Sequence, residues 1–203
     1  MRLVLATANP HKAEEIRAAL ADTGIELEAR PAEVGEIAET EDTLEGNALI
    51  KARSLWRATG LAALADDTGL FVDALGGEPG VLSARYAGAD ASDADNVAKL
   101  LSRLHGVSDR RARFRTVIAL VGPAGEEMCV SGELEGVIVD DPRGSHGFGY
   151  DPVFVPGESG GRTLAELSLE EKTAVSHRGR ALRALHDALS GRGAQGFEAP
   201  PVG

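Results

Sequence analysis

The chain predicts an α/β fold built on a mixed sheet, and two observations carry that prediction. Short apolar strand-like runs alternate with helical patterns early on, whereas ARFRTVIALVGPAGEEMCVSGELEGVIV reads as antiparallel strands, the first pair joined at the Gly122–Gly125 turn. The composition agrees: 203 residues, 43% apolar and 26% charged, suit one domain, or one domain of two lobes, with a sizeable core. We expect a single two-lobed domain over 1–190 and a disordered tail over 191–203, where GRGAQGFEAPPVG lacks a packing pattern.

Arg2 to Ala6 reads as a short buried strand. Asn9 then caps a helix that begins with Pro10 and runs to Leu20, with Ala13, Ile16, Ala19 and Leu20 on one face. Thr23-Gly24 ends it, and IELEA returns as a strand. The acidic segment from Glu33 to Glu45 reads as a loop, followed by a helix from Asn47 to Thr59 stopped by Gly60. Trp56 shares that helix's inward face with Ala48, Ala52 and Leu55, so it reads as core. Two strand-like pieces, 61–65 and 70–72, flank an Asp66-Asp67-Thr68-Gly69 turn. Ser92 and Asp95 pair as cap and acidic third position of a helix through Leu104, and Ser168 and Glu171 repeat the pattern. The last helix runs to about Leu189, with Ala181, Leu182, Leu185 and Leu189 inward.

A formal net charge of −11 argues against a general nucleic-acid binder, which would show a basic patch. It leaves room for a nucleotide, since a few basic groups and a metal can hold phosphates. One cysteine, Cys129, allows no internal disulfide and is expected to pack as a small hydrophobe in a reducing cytoplasm. The apolar start MRLVLATANP is too short for a signal peptide, and no run approaches the ~20 apolar residues of a membrane span.

Four stretches are candidates for chemistry, each of which taken alone also reads as an ordinary cap, turn, loop or solvated helix face. In LVLATANPHK a strand delivers Thr7, Ala8 and Asn9 to a helix amino terminus, where backbone N–H groups and the dipole favour an anion; Lys12 lies in the first turn. The Walker A pattern is absent, and a capped helix with a nearby Lys is by itself an ordinary helix start. Asp66 and Asp67 interrupt an apolar run, and a carboxylate at a strand end can hold a hard cation or accept a proton from water. HGFGYDPVF sets Phe148 and Tyr150 among glycines, where a ring can stack on a base while Asp151 or backbone groups read its edge. EEKTAVSHRGR places Lys172, His177 and Arg178 on one helical segment.

The order and wording of LATANPHK, TLEGNALIKAR, ADDTGLFVDALGGEPGVLSARYAG, GFGYDPVF and EEKTAVSHRGRAL resemble the inosine triphosphate pyrophosphatase-like family, from residue 3 to about 189. The resemblance implies hydrolysis of XTP, ITP or dITP to the monophosphate and pyrophosphate, a Mg²⁺ requirement, a homodimer, and an elongated mixed sheet with flanking helices and two lobes around a nucleotide cleft. It implies that Thr7, Ala8, Asn9, Pro10, His11 and Lys12 hold the triphosphate. Asp67 would be metal ligand and proton acceptor, with Lys12 neutralising phosphate charge and Thr68 on the substrate. Phe148, Gly149, Tyr150, Asp151, Lys172, His177 and Arg178 would frame the nucleotide, chiefly its base. One departure stands out. Where many members read T-F-x-E-N-A, this chain has Thr43-Leu44-Glu45-Gly46-Asn47-Ala48, so Gly46 replaces a metal-binding Glu. Glu45, one residue earlier, is therefore a candidate metal ligand; Asp66, beside Asp67, is another, and a catalytically silent nucleotide-binding module is the alternative reading.

Overall fold

The computed structural model describes residues 1–21, 23–35 and 37–191. The element order is β1 (Arg2–Leu5), α1 (Pro10–Leu20), β2 (Glu26–Glu28), α2 (Leu44–Thr59), β3 (Ala63–Val72), β4 (Pro79–Gly80), α3 (Asp93–Arg103), β5 (Arg111–Val121), β6 (Glu127–Ile138), β7 (Phe154–Pro156), α4 (Leu169–Val175) and α5 (His177–Gly191), with single 3₁₀ turns between. The strands pair in the order β2-β1-β3-β5-β6-β7, with β4 on β3. β1 runs parallel to β2 and β3, while β4 and β7 run antiparallel to β3 and β6, so the sheet is mixed as expected.

The described chain forms two compact units. Unit one comprises Met1–Asp67, Thr116–Gly132 and the described residues from Arg178 onward; unit two comprises Thr68–Arg115 and Glu133–His177. Each has its own core. In unit one, Leu3 and Leu5 of β1, Ile16 and Leu20 of α1, Leu64 of β3 and Leu182 and Leu185 of α5 are 2% exposed or less. In unit two, Leu70 and Val72 of β3 bury with Leu100 of α3, Leu134 of β6 and Phe154 of β7. Both follow from the sequence patterns: α1 buries the face predicted for it, and β1 is apolar without alternation because both its sides are covered.

Several caps match expectation. Asn9 caps α1, Gly60 closes α2 in the left-handed conformation at φ 70°, and Ser92–Asp95 and Ser168–Glu171 both form full capping boxes.

Five expectations are corrected. Asp66-Asp67-Thr68-Gly69 is no turn: β3 runs unbroken from Ala63 to Val72. Gly69 answers to close approach instead, since a Cβ there would stand 2.6 Å from the Gly80 carbonyl oxygen. Helix α2 starts at Leu44, three residues before Asn47, because Thr43 accepts the Gly46 N–H at 3.1 Å and acts as cap. The carboxy-terminal helical segment breaks at Ser176, whose N–H closes α4 on the Lys172 carbonyl at 2.8 Å, so Lys172 and Arg178 lie on different helices. Cys129 is exposed, because strand alternation on β6 turns Met128 inward and Cys129 out. Trp56 is half-buried, its indole N–H donating to the Pro123 carbonyl at 3.3 Å over the β5–β6 turn. The expected tail lies almost wholly outside the described residues.

Candidate active site

The candidate residues divide between the units. Thr7 to Lys12, Glu45, Asp66, Asp67 and Arg178 belong to unit one; Thr68, Phe148 to Asp151, Lys172 and His177 belong to unit two.

In unit one, Asn9 fixes the start of α1. Its Oδ1 accepts the N–H groups of His11 at 2.9 Å and Lys12 at 3.2 Å, and its own N–H donates to Thr7 Oγ1 at 3.1 Å. The cap thus occupies amides that sequence reasoning offered to an anion. What α1 presents is its positive end and the Lys12 ammonium.

Asp66 and Asp67 are neighbours on a strand, so their side chains leave β3 on opposite faces. Asp66, 2% exposed, turns toward α1 and α5. It pairs with Lys12 Nζ at 3.1 Å and with Arg178 Nη2 at 3.2 Å. Arg178, only 1% exposed, also pairs with Glu15, three residues along α1 from Lys12. Two cations and two carboxylates therefore close a loop from α1 through α5 and β3 back to α1. Burial alone would raise the Asp66 carboxyl, but Lys12, Arg178 and Lys51 outweigh it and hold it well below the carboxylate range. The segment SHRG had suggested an Arg aimed at a base. The structure puts Arg178 in this buried network.

Asp67 turns toward α2. Its Oδ1 lies 2.7 Å from Lys51 Nζ, which also meets Glu39 Oε1 at 2.9 Å. Burial pushes the Asp67 carboxyl up to about 6, with Glu39 reinforcing the rise and Lys51 opposing it. Adjacent carboxylates driven in opposite directions make this strand a candidate for acid–base chemistry.

Glu39 reaches this position through Asn47. That fully buried amide accepts the Glu41 N–H at 3.0 Å and donates to the Glu41 carbonyl at 3.1 Å, tying the preceding loop to α2. The same tie folds Glu41 over Gly46, where a Cβ would stand 2.6 Å from Glu41 Cβ. Glu45 is helical and half-buried, and its charge bears on the Cys129 thiol.

Lys51, Glu39, Glu15 and Asn47 escaped the sequence reading. Asn47 and Lys51 stand one helical turn apart in the quoted stretch TLEGNALIKAR, and that i,i+4 spacing was the available signal. Glu39, in an aperiodic loop, gave none.

In unit two, the loop 147–151 wraps the Asp151 carboxylate. Asp151 Oδ2 accepts the Phe148 N–H at 2.9 Å and lies 2.5 Å from Lys172 Nζ. A Cβ on Gly147 would stand 2.1 Å from the same oxygen, so only glycine fits. Lys172 Nζ sits 4.8 Å from the centroid of the half-buried Phe148 ring, a cation–π distance. Tyr150 is no stacking platform: it is 4% exposed, its hydroxyl donates to the Ser83 carbonyl at 2.9 Å, and burial raises its pKa. His177 is 3% exposed and stacks on Phe114 at 4.6 Å between centroids. Thr68 is half-buried on β3.

Among the described residues no three His, Cys, Asp or Glu side chains cluster as a metal site. Asp67 and Glu39 nevertheless converge on one cation, Lys51 Nζ, and their hard oxygens are the donor type Mg²⁺ prefers. Mg²⁺ takes one or two carboxylates and fills the rest of its shell with water and phosphate, so this pair fits it. Among the described residues no helix is long and apolar enough to cross a membrane.

This arrangement has relatives. Residues 3–188 match the model of the Ham1 family. The chain is 54% identical to the dITP/XTP pyrophosphatase of Geobacter sulfurreducens, over 95% of this chain and 98% of that protein. It is 54% identical to the dITP/XTP pyrophosphatase of Symbiobacterium thermophilum, over 89% and 91%. Among solved structures, a HAM1 protein from Coxiella burnetii superposes with a TM-score of 0.85 at 44% identity, covering 94% of this chain and 99% of that one. Matches of this extent, spanning every motif described above, make this chain a member of the Ham1 family.

Proposed function

We propose that this chain hydrolyses deaminated purine nucleoside triphosphates, XTP, dITP and ITP, to the monophosphate and pyrophosphate. The observation that carries the reading is Asp67: a buried carboxylate raised to about 6 beside Lys51 and Glu39, next to a second carboxylate locked in its ionised form. The relatives named dITP/XTP pyrophosphatase support the substrate class.

In this reading a water attacks the α-phosphorus, the bond to the bridging oxygen of the β-phosphate breaks, and pyrophosphate departs. Asp67 accepts the proton of the attacking water at a carboxylate oxygen, a task suited to a base whose pKa lies close to neutral. Lys12 and the amino terminus of α1 attract the triphosphate, while Asp66 holds the Lys12 ammonium in place. Mg²⁺, held by Asp67 and Glu39, would supply charge neutralisation on the phosphates. Thr68 would contact the substrate from its place on β3. Phe148 would stack on the base, and Lys172 is a donor of the kind a 6-oxo group accepts. Adenine's 6-amino group would leave such a donor unpaired, which discriminates strongly in a desolvated site. Arg178 serves from its buried position, through Asp66 and Glu15. A homodimer in the cytoplasm, and a single two-lobed domain, complete the proposal on the strength of the family resemblance.

Gly46 does not favour a silent module, since Glu39 provides a carboxylate beside Lys51 and Asp67. Purified chain with Mg²⁺ should release pyrophosphate from XTP, dITP and ITP far faster than from ATP or GTP. Folded protein inert toward all three would refute the reading.

A further inference from the structure

Two carboxylates hold successive amides of the loop 147–151. Asp151 takes the Phe148 N–H from within the loop, and Asp93 takes the Gly149 N–H through Oδ2 at 2.7 Å, from 56 residues away. Gly149 sits at φ 61°, with nothing within 4 Å of where a Cβ would be. Glycine is the least restrained residue of the backbone, so a defined conformation here needs an outside anchor. Asp93 is well suited to the task. It is the first residue of α3, and the helix start is already fixed by the reciprocal Ser92–Asp95 box. The cap therefore does not use the Asp93 carboxylate, whose hydrogen bond among the described residues is the one to Gly149.

Other anchors bracket the loop. Tyr150 is tied to Ser83 inside the core, and Asp151 to Lys172. Asp93 is the exposed one, and it holds the amide that follows Phe148 directly. A carboxylate–amide hydrogen bond is charge-assisted and directional, so it restrains the peptide plane between Phe148 and Gly149.

We propose that Asp93 is a positioning residue for purine recognition, which fixes the presentation of the Phe148 ring beside Lys172 by holding the Gly149 amide. The inference rests on the reading that this loop frames the base. Asp93 touches no reacting atom and acts through Gly149 alone.

The test compares Asp93→Ala and Asp93→Asn with the unaltered chain by steady-state pyrophosphate release from XTP, ITP and GTP. The Gly149 amide is followed in parallel by proton–nitrogen NMR. Asp93→Ala should raise KM for XTP and ITP roughly ten-fold, the loss of one charge-assisted bond, with kcat changed by less than about two-fold. Its preference for XTP over GTP should narrow, and the Gly149 amide proton should move upfield. Asp93→Asn keeps an acceptor oxygen and should recover most of the KM. An Asp93→Ala chain with unaltered KM and selectivity would overturn the proposal, as would an unmoved Gly149 amide. So would equal losses in both variants accompanied by a lowered melting midpoint, since that marks a structural role at the start of α3. An unaltered chain inert toward XTP and ITP would refute the pyrophosphohydrolase reading instead, and the amide shift would still judge whether Asp93 holds the loop.

Discussion

The two faces of β3 in unit one present the same side chain, one residue apart, in opposite electrostatic settings. On one face Asp66 meets Lys12 and Arg178 and stays ionised despite burial; on the other Asp67 shares a single lysine with Glu39 and is driven up to about 6. Burial acts on both, so it cannot explain the difference. The ratio of cations to carboxylates does: Asp66 and Glu15 divide Lys12 and Arg178 between them, whereas Asp67 and Glu39 have Lys51. A charge-balanced face is suited to holding a framework. A face with surplus negative charge is suited to taking a proton or a metal ion.

The sharpest way to break this contrast is to remove each carboxylate's function separately. Asp67→Asn should lower turnover about a thousand-fold, the scale of a lost general base, while the thermal midpoint stays within a few degrees. Substantial residual pyrophosphate release would move the proton acceptor elsewhere. Arg178→Met attacks the opposite face. It removes the buried cation shared by Glu15 and Asp66 and leaves Asp66 with Lys12, so urea denaturation should show a loss of about 3–5 kcal/mol. Adding Glu15→Gln to that variant should return part of the loss, because one stranded charge is removed; strict additivity of the two changes would argue against a coupled network.

Smaller changes sharpen the picture. Gly46→Glu introduces the residue that the family resemblance leads one to expect there, yet its Cβ meets Glu41 Cβ at 2.6 Å. We expect a cost of about 1–3 kcal/mol by calorimetry and no gain in turnover. A marked gain in Mg²⁺-dependent activity would show that position 46 still reaches the metal. Cys129→Ser, on the exposed side of β6, should change stability by no more than about 0.5 kcal/mol and serves as the control.

Much of the fold was legible in the chain because the signals are local. Asn9-Pro10, Gly60, Ser92–Asp95 and Ser168–Glu171 mark helix boundaries through hydrogen bonds spanning three or four residues, and the structure keeps each one. The apolar face of α1 and the Gly122–Gly125 turn were readable for the same reason. Asp67 could be singled out as a carboxylate set in an apolar run, although the turn imagined around it was wrong. Asp, Thr and Gly favour turns, but membership of one continuous strand, with β1 and β5 as its neighbours in the sheet, overrode that preference.

The partners of those side chains were decided by the tertiary structure alone. Composition placed two acids side by side; only the pleat of a paired strand sends one to Lys12 and Arg178 and the other to Lys51 and Glu39. Arg178 reaches Asp66 across 112 residues and Glu15 across 163, and Asp93 reaches Gly149 across 56. Separations of that size leave no local periodicity to read. The sequence by itself therefore determined most helix boundaries with their caps, and set two adjacent carboxylates in an apolar run. Which carboxylate is balanced and which is left basic depends on charges brought together by chain crossings, and only folding sets those distances.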